Sequence, residues 1–167
     1  MARQVFFSFH YSRDAWRAGQ VRNIRDLDGN TPVSDNDWEQ VKRGGDAAIQ
    51  RWIDNQLNYK SCTIVLIGTE TAGRPWVDYE IRRSWQLGKG VLGIYVHNLK
   101  DQSGTQSPKG QNPFSKFNLN GVPFDAIART YCGEGWNYSE NTYANIAQNI
   151  DSWVEEAIRV RQQYPIN

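Results

Sequence analysis

Two short runs constrain the fold more than any other part of the chain. "TIVLIG", Thr63 to Gly68, and "VLGIYV", Val91 to Val96, are apolar at almost every position. A strand with one wet face alternates apolar and polar residues. A strand apolar on both faces is covered on both, which is the condition of a parallel sheet. Between the two runs, Val77, Ile81 and Trp85 recur at helical spacing. Pro75 suits the first position of that helix, and Gly88 and Gly90 suit its end. The rest of the chain repeats the alternation. "VFFSF", Val5 to Phe9, is a third buried strand. Asp14 can cap a helix reaching about Ile24, with Ala18, Val21 and Ile24 inward. "DAAIQRWIDNQLNY" sets Ile49, Trp52, Ile53 and Leu57 on one helical face. A last short strand is expected near Ile127 to Cys132, and in a final helix at about residues 141–161 Tyr143, Ile146, Ile150, Trp153, Val154, Ala157 and Ile158 keep the helical period. Strands alternating with helices predict an α/β fold with a mostly parallel sheet flanked by helices on both faces.

With 167 residues, no internal repeat and no linker, residues 1–167 read as one domain. The polar, Gly-, Pro- and Ser-rich stretch at about residues 97–125 is an irregular excursion, and long ordered loops often serve function. The net charge of +1 gives no argument for nucleic acid or for an acidic membrane surface. No apolar run approaches the roughly 18 residues that span a bilayer. The start "MARQVFFSF" lacks a secretory h-region, and the two cysteines, Cys62 and Cys132, have no metal or redox spacing around them. A cytoplasmic chain with free thiols, and a site that needs no metal, is the resulting expectation. There is no phosphate-binding Walker motif and no GxGxxG, so dinucleotide binding would not use a glycine loop.

In parallel α/β sheets, ligands bind beyond the carboxyl ends of the strands. Two polar loops leave such ends: "HYSRD" after the first strand and "GTETAGRPW" after "TIVLIG". The second feeds the helix "PWVDYEIRRS", where Trp76 and Glu80 stand four residues apart and so share a face. An aromatic ring beside a carboxylate at the sheet rim could stack a flat base and bind ribose hydroxyls. Spacing by itself favours a plainer reading, with Glu80 paired to Arg83 or Ser84 on a solvated face and Trp76 as a core anchor.

The ordered set "VFFSFHYSRDAWR" and "TIVLIGTETAGRPWVDYEIRRS" resembles the TIR domain, and more closely the bacterial branch that includes the TIR proteins of Thoeris anti-phage systems. Ser8 and Phe9, then Thr69, Thr71, Trp76 and Glu80, occupy the matching motif positions, with "VRN" at Val21 to Asn23 and "KGQNPF" at Lys109 to Phe114 as branch-specific pieces. The resemblance implies a flavodoxin-like TIR fold and, in the enzymatic members, cleavage of the nicotinamide–ribose bond of NAD. NAD is then a substrate, with no permanently bound cofactor. Glu80 would be the catalytic residue, holding ribose hydroxyls and stabilising charge at the anomeric carbon. The product would be an ADP-ribose-derived signal nucleotide, a cyclic isomer or a conjugate, that activates a separate effector protein. Homo-oligomer formation on activation is left open, and neither nucleic acid nor membrane is an expected partner. One departure stands out: Asn23 to Gly45 has no clear second strand, though "RDLDGNTP" could replace the loop found there in many TIR domains.

Around Glu80, the expected substrate-binding set is Ser8, Phe9, His10, Tyr11, Trp76, Thr69 and Arg17. Each has a structural alternative. His10 could be a hydrogen-bonded scaffold residue, Tyr11 could cap the core, and Ser8 and Phe9 could contribute backbone and shape. Arg13, Arg17 and Arg22 could meet a pyrophosphate or pair with Asp14 and Asp26. Asn112 is expected to hold a turn before Pro113. Two other functions remain open at this level: a non-catalytic TIR-like scaffold acting by homotypic assembly, and a nucleoside hydrolase or deoxyribosyltransferase-like enzyme, which also works with a carboxylate at an anomeric carbon.

Overall fold

The computed structural model describes residues 3–24, 41–119, 121–132 and 138–164. Strand β1 (Val5–Ser8) leads into helix α1 (Tyr11–Arg22). Helix α2 (Gly45–Leu57), strand β2 (Cys62–Ile67), helix α3 (Pro75–Gln86) and strand β3 (Gly90–Tyr95) follow. The excursion carries a 3₁₀ turn at Pro113–Lys116, a two-stranded ribbon of β4 (Asn118–Leu119) and β5 (Val122–Pro123), and a second 3₁₀ turn at Phe124–Ala126. Strand β6 (Thr130–Tyr131) and helix α4 (Ser139–Gln162) complete the described elements. The main sheet has the order β1-β2-β3-β6 with every pairing parallel. This is the α/β arrangement with a parallel sheet expected from the two apolar runs, and the flavodoxin-like fold that the TIR resemblance implies.

Side chains alternate across the sheet and feed two cores. On one face Phe7, Ile64, Leu66, Leu92 and Ile94 pack with Val21 of α1 and Ile146 and Ile150 of α4. On the other, Val65, Ile67 and Val91 pack with Val77 and Ile81 of α3 and with Phe114 and Phe124 of the excursion. Phe6 joins Ile49, Ile53 and Leu57 of α2 in a third cluster. Burial on both faces is why β2 and β3 lack polar alternation.

Three local expectations are corrected. Asp14 does not cap α1. The cap position is His10, in extended conformation, and Asp14 lies inside the first turn, buried and ion-paired to Arg17 at 3.1 Å. Gly90 does not end α3. Gly88, at φ 79°, supplies the left-handed turn there, whereas Gly90 opens β3 because a side chain would meet the α4 backbone at Ala157 at 2.9 Å. The final strand is shorter than expected, Thr130–Tyr131. The segment whose second strand was in question, Asn23 to Gly45, lies for most of its length outside the described residues.

Because β1, β2 and β3 run parallel, their carboxyl ends share one edge of the sheet, marked by Ser8, Ile67 and Tyr95. The first part of the excursion is strapped across this edge. Thr69 Oγ1 donates to the Pro108 carbonyl at 2.5 Å. Gly110 lies so close to the Gly68 carbonyl that an added Cβ would sit at 2.1 Å from it. Asn112 Oδ1 accepts from the Phe114 amide at 2.9 Å and opens the 3₁₀ turn that buries Phe114.

Candidate active site

The site begins with a backbone constraint. A residue before proline is pushed out of the helical region. Arg74 is accordingly extended (ψ 123°) and Pro75 starts α3. The chain therefore turns into α3 at the carboxyl edge of the sheet. Five residues past that proline, Glu80 faces the end of β1.

There its carboxylate is buried, with Oε1 accepting a hydrogen bond from Ser8 Oγ at 2.9 Å. The plain alternative for Glu80 does not hold. Arg83 is engaged by Asp54 at 3.0 Å, and the Ser84 hydroxyl donates at 2.6 Å to the backbone carbonyl of Glu80, not to its carboxylate. Burial pushes the Glu80 carboxyl up to about 8, against the opposing pull of the Ser8 hydrogen bond. Among the described residues no cation is ion-paired to it.

Glu80 opens onto a cavity of about 400 Å³. The cavity runs from the carboxyl edge along the side of β1 that no described strand pairs, towards Lys60. At its Glu80 end the walls are Phe9, His10, Tyr11, Arg74 and Trp76. Trp76 is half-buried, set edge-on to Tyr79 with ring centroids 5.8 Å apart, so it is both a wall and an anchor. Phe9 and Tyr11 stack at 6.1 Å with a 28° tilt, and the Arg22 guanidinium lies 5.2 Å from the Phe9 ring centre. Rings held this way offer fixed flat surfaces beside a carboxylate.

His10 is held neutral near pH 7. Burial lowers its pKa first and the charge of Arg74 second, outweighing Asp14 and Glu70. Its Nδ1 is buried without a hydrogen-bond partner. Arg74 is also shared with Glu70 at 3.7 Å, and Glu70 with Arg13 at 3.4 Å, a charged rim over the entrance.

The expected residues thus fall into three groups. Glu80, Phe9, His10, Tyr11 and Trp76 come together in one wall. Ser8, fully buried, lies behind Glu80 and reaches the site through that carboxylate. Thr69 and Arg17 lie elsewhere. Thr69 is spent on the strap. Arg17 is 4 % exposed and locks α1 to the strap, donating to the Leu99 carbonyl at 2.8 Å and the Thr105 carbonyl at 2.9 Å as well as pairing with Asp14. Arg74 was not singled out for the site. Its signal was present in the sequence, since the residue before Pro75 had to be extended and hence at the rim.

A parallel α/β sheet whose first strand ends in Ser8 and whose Trp76-to-Glu80 helix turns a carboxylate back onto that serine defines a TIR-like domain. Residues 6–101, more than half of the chain, match the family described as Thoeris protein ThsB, TIR-like domain, and the chain belongs to that family. It is 42% identical over 119 residues to a protein of Bacillus cereus (strain MSX-D12) provisionally named cyclic ADP-D-ribose synthase ThsB1. That match covers 68% of this chain and 62% of the relative, so the chain spans less than two thirds of the length of the curated relative it matches.

Proposed function

We propose that this chain consumes NAD, breaking the nicotinamide–ribose bond and converting the ADP-ribosyl group into a cyclic ADP-ribose-type signal nucleotide. The observation that carries the reading is the buried Glu80 carboxyl, fixed by Ser8 and open to an aromatic-walled cavity at the carboxyl edge of the sheet. The name given to the Bacillus cereus relative supports it.

The chemistry suits such a site. The bond that breaks joins the anomeric carbon to a nitrogen that already carries positive charge. Its electron pair leaves with neutral nicotinamide, so no acid is required. What the reaction needs is orientation and a negative charge beside the carbon as it becomes cationic. Ionised Glu80 supplies that charge and accepts from ribose hydroxyls. Before substrate binds, burial favours the protonated form. Arrival of the cationic nicotinamide ring favours the carboxylate, because an opposite charge at close range lowers a carboxyl pKa. Substrate binding and ionisation of Glu80 are thereby coupled. Trp76, Tyr11 and Phe9 provide ring surfaces for the bases, and Arg74 at the rim meets the diphosphate. Thr69 and Arg17 contribute through the strap and not by contact. The signal nucleotide acts on a separate effector of the Thoeris system, and assembly of several copies on activation belongs to the same reading.

Incubation of the purified protein with NAD, followed by mass spectrometry, tests this. The expected products are free nicotinamide and a species of the mass of ADP-ribose less one water. Turnover of simple nucleosides with NAD left intact would favour the hydrolase alternative instead.

A further inference from the structure

Ser8 sits where the motif comparison expects a substrate contact, yet its side chain is 0% exposed and does not form part of the cavity wall. It is the last residue of β1, held in register opposite Val65 of β2. That pairing fixes the direction of its hydroxyl. The hydroxyl meets Glu80 Oε1 at 2.9 Å across 72 residues of sequence. We propose that Ser8 is a positioning residue, whose hydroxyl holds Oε1 so that Oε2 is the oxygen Glu80 presents to the substrate. This rests on the reading of Glu80 as the residue that meets the anomeric carbon.

The physical case has three parts. A carboxylate on a helix has free χ angles, and a buried one without a partner is costly, so it would swing or stay protonated. A hydrogen bond from an immobile strand removes that freedom and favours the charged form. The groups that could do the same work from elsewhere are otherwise placed. His10 and Arg74 face the cavity from the rim, Arg22 lies over Phe7 and Phe9, and Lys42 and Lys60 line the cavity. On α3 itself, Arg83 is turned to Asp54 and Arg82 is exposed. None is bonded to Glu80 among the described residues. Nor can the next turn of α3 substitute: the Ser84 hydroxyl bonds the Glu80 backbone carbonyl and Thr63 Oγ1 at 2.7 Å.

Two readouts test the assignment. The first needs no turnover. The Glu80 carboxyl is titrated by carbon-13 NMR in wild type, Ser8→Ala, Ser8→Cys and Ser8→Thr. Losing the hydroxyl is expected to move the midpoint to higher pH in Ser8→Ala. Thr, which keeps a hydroxyl, restores it, and Cys, a weak donor, falls between. The second is steady-state nicotinamide release from NAD. Ser8→Ala is expected to lower kcat by roughly tenfold to a hundredfold, the cost of a small misplacement of a reacting group, while KM changes little. Its rate profile also moves alkaline with the NMR midpoint. An unmoved Glu80 midpoint in both Ser8→Ala and Ser8→Cys overturns the proposal. So does a rise in KM with kcat intact, which would make Ser8 a substrate contact. If only one of these variants folds, its midpoint decides alone. A wild-type protein that releases no nicotinamide contradicts the enzymatic reading and leaves the midpoint shift to judge the contact with Ser8.

Discussion

At the scale of single residues, the molecule keeps a carboxyl where it is expensive. Glu80 has its pKa raised by burial to about 8. The unfolded chain ionises it near the ordinary value of about 4.3 and the folded chain much later. Below both values the two states hold the same proton and no penalty exists. As pH rises from about 4.3 the unfolded state loses its proton first, so stability falls, and the full penalty is present above about 8. Glu80→Gln cannot ionise and keeps an oxygen to accept from Ser8. It should therefore be more stable than wild type at pH 8 to 9, by on the order of a few kcal/mol, and melt at a higher temperature, with the difference closing by about pH 4. Thermal melts across that range read this out directly. In the proposed reaction the same ionisation would govern turnover. If the carboxylate is the working form, kcat/KM should rise with pH through a midpoint near 8, and the midpoint of kcat should lie lower, because the bound cationic ring favours ionisation. Initial rates of nicotinamide release at a series of pH values decide it. A profile that falls over this range would contradict it.

At the scale of elements, the strap and α1 form one device. The Asp14–Arg17 pair is buried, and Arg17 also carries the Leu99 and Thr105 carbonyls. Removing Arg17 takes from buried Asp14 its ion-pair partner and from two strap carbonyls their donor. Arg17→Met should cost about 3–5 kcal/mol in urea unfolding. Arg3→Met, which breaks the exposed pair with Glu155, should cost far less, because solvent screens that pair. Equal effects would contradict the role given to the lock. Gly110→Ala forces a methyl onto the Gly68 carbonyl and should loosen the strap where Thr69 holds Pro108. Faster amide exchange in residues 97–112, with the sheet core unchanged, is the expected sign.

At the scale of the whole molecule, the sheet was legible because burial on both faces leaves β2 and β3 almost wholly apolar. The helices were legible because their inward residues keep the helical period, as Ile49, Ile53 and Leu57 do. The ribbon β4–β5 and the brief β6 were not, because strands of two residues have no period to read. Asp14 was misread as a cap for a related reason. A carboxylate near a helix start looks the same whether it caps the turn or is buried against a later arginine and Gly68. The motif placed Glu80 at the right edge. Its burial and its bond to Ser8 depend on two segments meeting only in the fold, which local spacing cannot express. The same holds for Thr69 and Arg17, whose side chains are taken by carbonyls from the excursion. The central claim is that this fold exists to hold one carboxylate beside the anomeric carbon of NAD. Its most direct test is the rate of nicotinamide release by Glu80→Gln, measured beside wild type under conditions where wild type turns over. The account predicts a folded variant whose rate falls by about a hundredfold to a thousandfold, the range seen when one group stabilising transition-state charge is removed. A folded Glu80→Gln protein that releases nicotinamide at the wild-type rate would contradict it.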